Sequence, residues 1–532
     1  MELKLSGIKL QSDEQENKAL QKKIAGTLRI KREDIAGIRI LKKSIDARKT
    51  VYFLYTVAVD ITDRKLFGRL LKKNGISAYH PERYNVPRVP DEIKRQWERP
   101  VVVGAGPAGL FAAYALAKSG MRPLILERGR DVDRRTEDVE SFWSGGKLQK
   151  NSNVCFGEGG AGTFSDGKLN TSVHDDKGRG RFILDTFIRH GAPVNIGYDA
   201  KPHIGTDILR DVLKNMRAEI ERLGGEYRFE SQVVDVQKNA DNFVNAVVLG
   251  SGEIIRADTV LLCIGHSARD TYKMLLLRGA RMESKSFAVG FRVEHPQSDI
   301  DKNQYNGSEN KHLPPAPYKL TYRAKCGRGV YSFCMCPGGY VVNSSSENEG
   351  LCVNGMSYSN RASKNANSAI IISVTPEDFV GEDPLSGMRF QEDIESRTYK
   401  LCGGRIPQQL LGDFRKCKKS EGYGAFSSCV KGESELSDLT GILEPEMNEA
   451  FLEAMEFFGS RIKDFNRDDC IISAIESRTS SPVRILRDDT LQSNITGIFP
   501  CGEGAGYAGG IMSAAMDGLR VSEAVISRYT EK

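Results

Sequence analysis

Apolar and polar residues alternate over residues 3–10, take helical spacing over 16–24, and return as β-rich runs at 38–45 and 51–61. Asp46-Ala-Arg-Lys49 joins the last two runs, which predicts a hairpin. A β-α-β-β start of this kind suits a ferredoxin-like sheet packed on helices. His80-Pro81 to Pro90, with three prolines, reads as a linker. Behind Pro100, Val101-Val102-Val103 forms a short apolar run that ends on a glycine, as a buried strand before a tight turn would. Over residues 207–223, Ile208, Leu209, Val212, Leu213, Met216, Ile220 and Leu223 make one apolar stripe. Asp207 can cap that helix, Gly224-Gly225 ends it, and a strand is expected over 227–236. Between 281 and 465 Pro, Gly, Ser and Asn become frequent, with strand-like runs such as 368–374. After 466 the pattern returns to strand, glycine-rich turn and helix.

The chain's 532 residues suit two to four domains. No apolar run reaches the roughly 18 residues of a membrane span, and the first residues do not form a secretory signal. Eleven cysteines without a regular framework fit reduced thiols in a cytoplasm better than disulfides. The net charge of +6 is uneven: residues 1–99 hold 23 Lys/Arg against 13 Asp/Glu, and the remainder 53 against 57. A basic domain of this kind has a solvated face or an acidic partner.

The spacing GxGxxG occurs at Gly104/Gly106/Gly109, Gly157/Gly159/Gly162 and Gly504/Gly506/Gly509. Context separates the three. The first follows a buried strand and opens a helix over 107–119. Gly104 makes the turn, Gly106 lets backbone approach a pyrophosphate, and Gly109 lets helix and strand pack closely. The N-terminus of that helix offers free N–H groups to phosphate. A second strand, 123–126, ends on Glu127 about 20 residues on, where an acid binds ribose hydroxyls and disfavours a 2′-phosphate. The second match has no strand before it, so its glycines are expected to offer N–H groups near phosphate or ring. The third follows a strand and opens a helix, but Lys532 comes before a second strand with an acid could be built. NAD(P)H, if used, therefore has no dedicated domain. Gly106→Val is expected to abolish cofactor binding, and Gly504→Ala to be milder.

These residues resemble known proteins. Gly104-Ala105-Gly106-Pro107-Ala108-Gly109 with Glu127 resembles the FAD loop of the two-dinucleotide-binding-domain flavoproteins. Thr259-Val-Leu-Leu-Cys-Ile-Gly265-His266 is similar to their later strand, which ends on a glycine beside the cofactor. Val233 matches the position whose backbone meets adenine, and Gly497-Ile-Phe-Pro-Cys-Gly502-Glu503 resembles the motif whose acid approaches the ribityl chain. Phe291-Arg-Val-Glu-His-Pro-Gln297, Cys334-Met-Cys336-Pro-Gly-Gly339, Asn354-Gly-Met-Ser357, Asn365-Ala-Asn-Ser368 and Arg478-Thr-Ser-Ser-Pro482 are similar to the bacterial uncharacterised FAD-dependent dehydrogenases. The resemblance implies FAD as cofactor, with Arg128, Gly159, Gly160, Gly162, Thr163, Gly265, Gly502, Gly510 and Ile511 joining the residues above around it. It implies an α/β fold: a Rossmann-type FAD-binding domain (96–280 and 466–532), an inserted α+β substrate domain (281–465) and a small ferredoxin-like domain (1–92).

The reading is an FAD-dependent oxidoreductase that passes hydride between flavin and a small-molecule substrate. The helix starting near Gly510-Ile511 would aim its N-terminus at the flavin, where reduced flavin carries negative charge. Arg478, Tyr507 and Cys336 are substrate-pocket candidates, although Arg478 equally suits a braced loop. Cys155 lies in the second glycine loop without a close partner. Cys334 and Cys336 are a second candidate pair, or small packing residues before a turn. His266, Arg269 and Asp270 are read as holding their loop together. The alternative is an RNA-associated flavoprotein docking through its basic domain. That domain lacks an RRM aromatic signature, so nucleic acid is not the expected partner.

Overall fold

The computed structural model describes every residue except 12–15, 82, 91–97, 309–311 and 531–532. The expected boundary between residues 92 and 96 lies outside the described residues.

The N-terminal unit is a ferredoxin-like β-α-β-β-α-β domain. Its strands run Glu2–Gln11, Ile35–Asp46, Tyr52–Ile61 and Ile76–Ala78, and the third lies between the second and the first, with the fourth beyond the first. The predicted hairpin is present, with Asp46 opposite Tyr52. Leu3, Leu5, Leu20, Ile24, Val57 and Val59 share its core.

The second unit is a five-stranded parallel sheet with the order Ile498–Pro500, Val260–Leu262, Val101–Val103, Leu124–Leu126, Glu226–Arg228. All-parallel strands are covered on both faces, which is why each of the central ones reads as a plain apolar triplet. Helices Pro107–Lys118 and Ile511–Thr530 pack against each other on one face. Helix Thr206–Arg222 buries the predicted stripe of Leu209, Val212, Leu213, Met216 and Ile220. Gly205, not Asp207, is its N-cap, because the Asp207 carboxylate is taken by the backbone N–H and hydroxyl of Ser359 at 2.8 and 2.5 Å.

The single strand expected over 227–236 is two. Glu226–Arg228 ends the parallel sheet and Val233–Lys238 joins an antiparallel three-stranded sheet. Between them Glu230 takes φ +53° and the Ser231 N–H donates to the Glu127 carbonyl at 2.8 Å, which turns the chain.

The inserted unit is a seven-stranded sheet, in the order Thr321–Arg323, Gly329–Cys336, Asn365–Val374, Phe287–Pro296, Ile471–Glu476, Ile406–Leu410, Ser434–Leu436. Ile471–Glu476 lies inside this sheet, paired with Phe287–Pro296 and Ile406–Leu410. The insertion thus runs past the expected limit of 465. Met282–Ser284 and Val483–Ile485 pair where the chain enters and leaves it.

Candidate functional site

The sheet's C-terminal edge opens into a cleft with a volume of about 350 Å³. Gly104, Gly106, Pro107, Ala108, Glu127 and Arg128 line one wall. The three glycines of the first loop do different work. Gly104 has φ +101°, and a Cβ there would stand 2.6 Å from the Cys263 carbonyl oxygen. A Cβ on Gly109 would collide with the Gly104 carbonyl. A Cβ on Gly106 would meet nothing nearer than the Gly160 Cα at 3.8 Å, so it would project into the cleft. Helix Pro107–Lys118 starts at Gly106 with proline in its first turn and no side chain capping it. Its first N–H groups are left for a ligand.

Glu127 is buried and its carboxylate accepts from the N–H groups of Ala105, Gly129 and Gly157 at 2.8, 2.9 and 3.0 Å. A carboxylate has about four lone-pair positions. Glu127 thus ties both glycine loops together and keeps capacity for a hydroxyl. Arg128 pairs with Asp270 at 2.8 Å and lies over the Phe156 ring.

The second glycine loop is organised by Arg135, which sequence reasoning missed. Its buried guanidinium donates to the carbonyls of Asn153, Val154, Gly157 and Glu158 at 2.6–3.3 Å and to the Thr163 hydroxyl at 3.3 Å. Gly160 and Gly162 line the cleft, whereas Gly159 donates to the Ala105 carbonyl at 2.9 Å and Thr163 is buried within the loop. The segment continues to Lys168, which reaches the cleft with Asp166 at 3.4 Å and bonds the Met335 carbonyl. Burial pushes Asp166 up, but Lys168, Arg361 and His203 hold it below the usual carboxylate range.

Val233, Gly265, His266, Glu503, Gly509, Gly510, Ile511 and Ala514 complete the same side. His266 Nδ1 lies 3.1 Å from Glu503 Oε1. The third glycine turn is packed rather than open. A Cβ on Gly504 would run into the Ile264 carbonyl. Gly504→Ala, expected to be milder than Gly106→Val for cofactor binding, would therefore strain this turn itself. Gly502 has φ +76° and donates to Asp517 at 2.8 Å, and Asp517 also holds Arg487 at 2.7 Å. Tyr507 lies over Arg487, 3.7 Å from ring centre to guanidinium carbon, and does not line the cleft.

The opposite wall comes from the insertion: Phe333, Cys334, Asn354, Arg478 and Thr479. Arg478 is a brace. It holds Glu395 at 2.7 Å, Ser267 at 3.1 Å and the Ser346 hydroxyl. Arg269 grips the same Glu395 at 2.9 Å. Burial pushes Glu395 up, yet the two guanidinium groups hold it well below the usual carboxylate range. Deeper, Arg292 pairs with Glu476 at 2.6 Å and donates to Asn367 at 2.6 Å and to the Cys334 carbonyl at 3.2 Å. Burial raises Glu476 to about 7 against the pull of Arg292. Cys336 is buried behind Cys334 and does not reach the cleft.

Residues 286–479 match the family described as "FAD-dependent protein, C-terminal domain-like", residues 102–141 an NAD(P)-binding Rossmann-like domain, and residues 2–60 a domain of unknown function. An uncharacterised protein of Clostridium beijerinckii is 45% identical over 537 residues, covering 99% of each chain. The chain belongs to this uncharacterised FAD-dependent family. FAD is the cofactor of this FAD-dependent protein. Among solved structures, Bacillus cereus glycine oxidase is 11% identical, covering 81% of this chain and 95% of its own, with a TM-score of 0.31. The Bacillus halodurans glycerol-3-phosphate dehydrogenase complexed with FAD is 12% identical, covering 83% and 66%, with a TM-score of 0.36. Likenesses this weak carry no argument about activity. The RNA-associated alternative gains no support from any of these matches.

The FAD-dependent protein's cleft fits such a dinucleotide: an uncapped helix start, a glycine whose missing Cβ keeps a path open, and an acid, Glu127, on the same wall. Among the described residues no helix is long and apolar enough to cross a membrane.

Proposed function

We propose that the protein is an oxidoreductase that passes hydride between FAD and a small substrate admitted between the Rossmann-type unit and the inserted sheet. Glu127 holds the adenosine ribose, the Val233 backbone meets adenine, and Gly106, Pro107, Ala108 and Gly160 surround the pyrophosphate. Gly265, Glu503, Gly510 and Ile511 border the flavin half. The observation that carries this reading is the continuous cleft shared by Glu127, Gly106, Ile511, Cys334 and Asn354. Bound FAD supplies the redox chemistry itself. The chain's part is orientation and charge. The N-terminus of helix Ile511–Thr530 and the Lys168 ammonium both favour negative charge on a reduced ring. NAD(P)H, where it serves as donor, enters the same crevice in competition with substrate.

An anaerobic substrate screen that follows flavin bleaching tests the reaction class. Stopped-flow mixing with NADH and NADPH tests the donor. Saturable nucleotide binding that is indifferent to a bound substrate would contradict a shared crevice.

A further inference from the structure

The strand Gly329–Cys336 carries a bulge that the hydride reading leaves unused. Phe333 pairs with Ala369 but Cys336 pairs with Asn367, so one extra residue is accommodated between them. Cys334 sits in that bulge at φ +41°, a left-handed conformation in a residue that rarely adopts one. The bulge re-aims Cys334 into the cleft that Gly160, Lys168 and Ile511 also line. Cys336 stays buried, and its thiol donates to the Cys334 backbone carbonyl at 3.2 Å. Two residues of extended chain span about 7 Å at most. A disulfide accepts roughly 4.4–6.8 Å between Cα atoms, so a strand bent at a bulge can bring the two within its reach.

Charge favours a thiolate at Cys334, the half-buried cysteine that lines the cleft. Lys168 bonds the carbonyl of Met335, between the two cysteines, and Arg292 bonds that of Cys334. The Cys336 thiol together with these cations holds Cys334 well below the usual thiol range, while burial pushes Cys336 up. Asp166 and Glu476 lie close by and oppose part of this, but each is paired with one of those cations. A low thiol beside a protonated partner is the arrangement that thiol–disulfide exchange uses.

We propose that Cys334 and Cys336 are a dithiol–disulfide pair that exchanges two electrons with the flavin, a second redox centre in series with the cofactor. In the reductive direction the Cys334–Cys336 S–S bond breaks as it accepts two electrons and one proton from anionic reduced flavin. The proton ends on the Cys336 sulfur, Cys334 is left as thiolate, and the flavin is oxidised. The reverse step oxidises the pair with FAD as the electron acceptor. This rests on the flavin ring occupying the half of the cleft bordered by Ile511.

The test is an anaerobic reductive titration of the air-oxidised, FAD-reconstituted full-length protein, with alkylation and mass mapping of its cysteines before and after. Reconstitution comes first, so a failure to bind FAD breaks the cofactor assignment at a separate step. Wild type should take up four electrons per FAD, with Cys334 and Cys336 blocked before reduction and both alkylated after it. Cys334→Ser and Cys336→Ser should each take up two. Cys336→Ser should show a long-wavelength charge-transfer band when oxidised, and Cys334→Ser should not. If a variant loses flavin, the wild-type alkylation map decides alone. Two-electron uptake by wild type, or both thiols alkylated in the oxidised protein, would overturn the proposal.

Discussion

The wall of the cleft built by residues 104–109 presents backbone, whereas the wall built by Cys334, Asn354 and Arg478 presents side chains held by buried charge. The first depends on atoms that are missing: Gly104 and Gly109 leave room for neighbouring carbonyls, and Gly106 leaves room for a ligand. The second depends on atoms that are paired: Arg269 and Arg478 on Glu395, and Arg292 on Glu476. Sterics do not titrate, and ion pairs do. The two walls should therefore fail under different insults.

The largest effect is expected at Gly504, on the Rossmann-type side but not among the residues that line the cleft. Gly504→Ala drives a Cβ into the Ile264 carbonyl. The cost should exceed about 4 kcal/mol, enough to lose folded protein. Soluble yield and Tm measure it, and a near-wild-type Tm would show that the turn relaxes freely.

Next comes the charged wall. Glu395→Gln removes the buried carboxylate that Arg269 and Arg478 share and leaves them only the half-buried Glu347 in common. Removing one partner of such a group costs about 3–5 kcal/mol. Denaturant unfolding should show that loss near neutral pH. The same Glu395 contribution is present above a free glutamate's range, near pH 4.3, and fades below it, because the folded carboxyl is held low.

A smaller acid effect belongs to His295, in the inserted sheet. Its ring stacks on Phe465 at 4.3 Å and is fully buried. Burial lowers it from 6.5 to about 4. Protons thus bind the unfolded chain first as pH falls. Stability from the neutral ring is complete above 6.5, falls as pH drops from 6.5, and is fully lost once pH is below about 4. The loss is on the order of 3 kcal/mol. His295→Gln should flatten the stability curve between those limits, and an unchanged curve would place the acid sensitivity elsewhere.

The mildest change is Glu127→Gln. It places an amide among three N–H donors and costs about 1–3 kcal/mol. FAD affinity should fall more than Tm does. Equal losses would make Glu127 only a loop tie.

The two walls also differ in what the chain discloses. Backbone requirements write themselves as glycine and proline, so Gly104, Gly106, Gly109 and the acid at Glu127 were legible. Buried charge does not: Arg269, Glu395 and Arg478 are brought together across more than 80 residues each, with no local signal. Arg135 was hidden for the same reason, although five of its hydrogen bonds fall on a loop starting only 18 residues away. Ile471–Glu476 was read with the Rossmann-type unit because an apolar strand carries no mark of the sheet that receives it. The break at Glu230 was invisible, since a non-glycine residue makes the turn. Tyr507 was a substrate-pocket candidate, but its ring is spent on Arg487. Cys334 was legible only as half of a pair, because the bulge that turns it toward the cleft depends on register with Asn365–Val374.

Whether a dinucleotide flavin lies across Gly106 is read from the flavin released by wild type and by Gly106→Val. Denatured wild type should release FAD, and Gly106→Val should purify folded, with a Tm close to that of wild-type apoprotein, and colourless. FMN from the wild type, or full FAD in Gly106→Val, would mean that no dinucleotide flavin crosses Gly106.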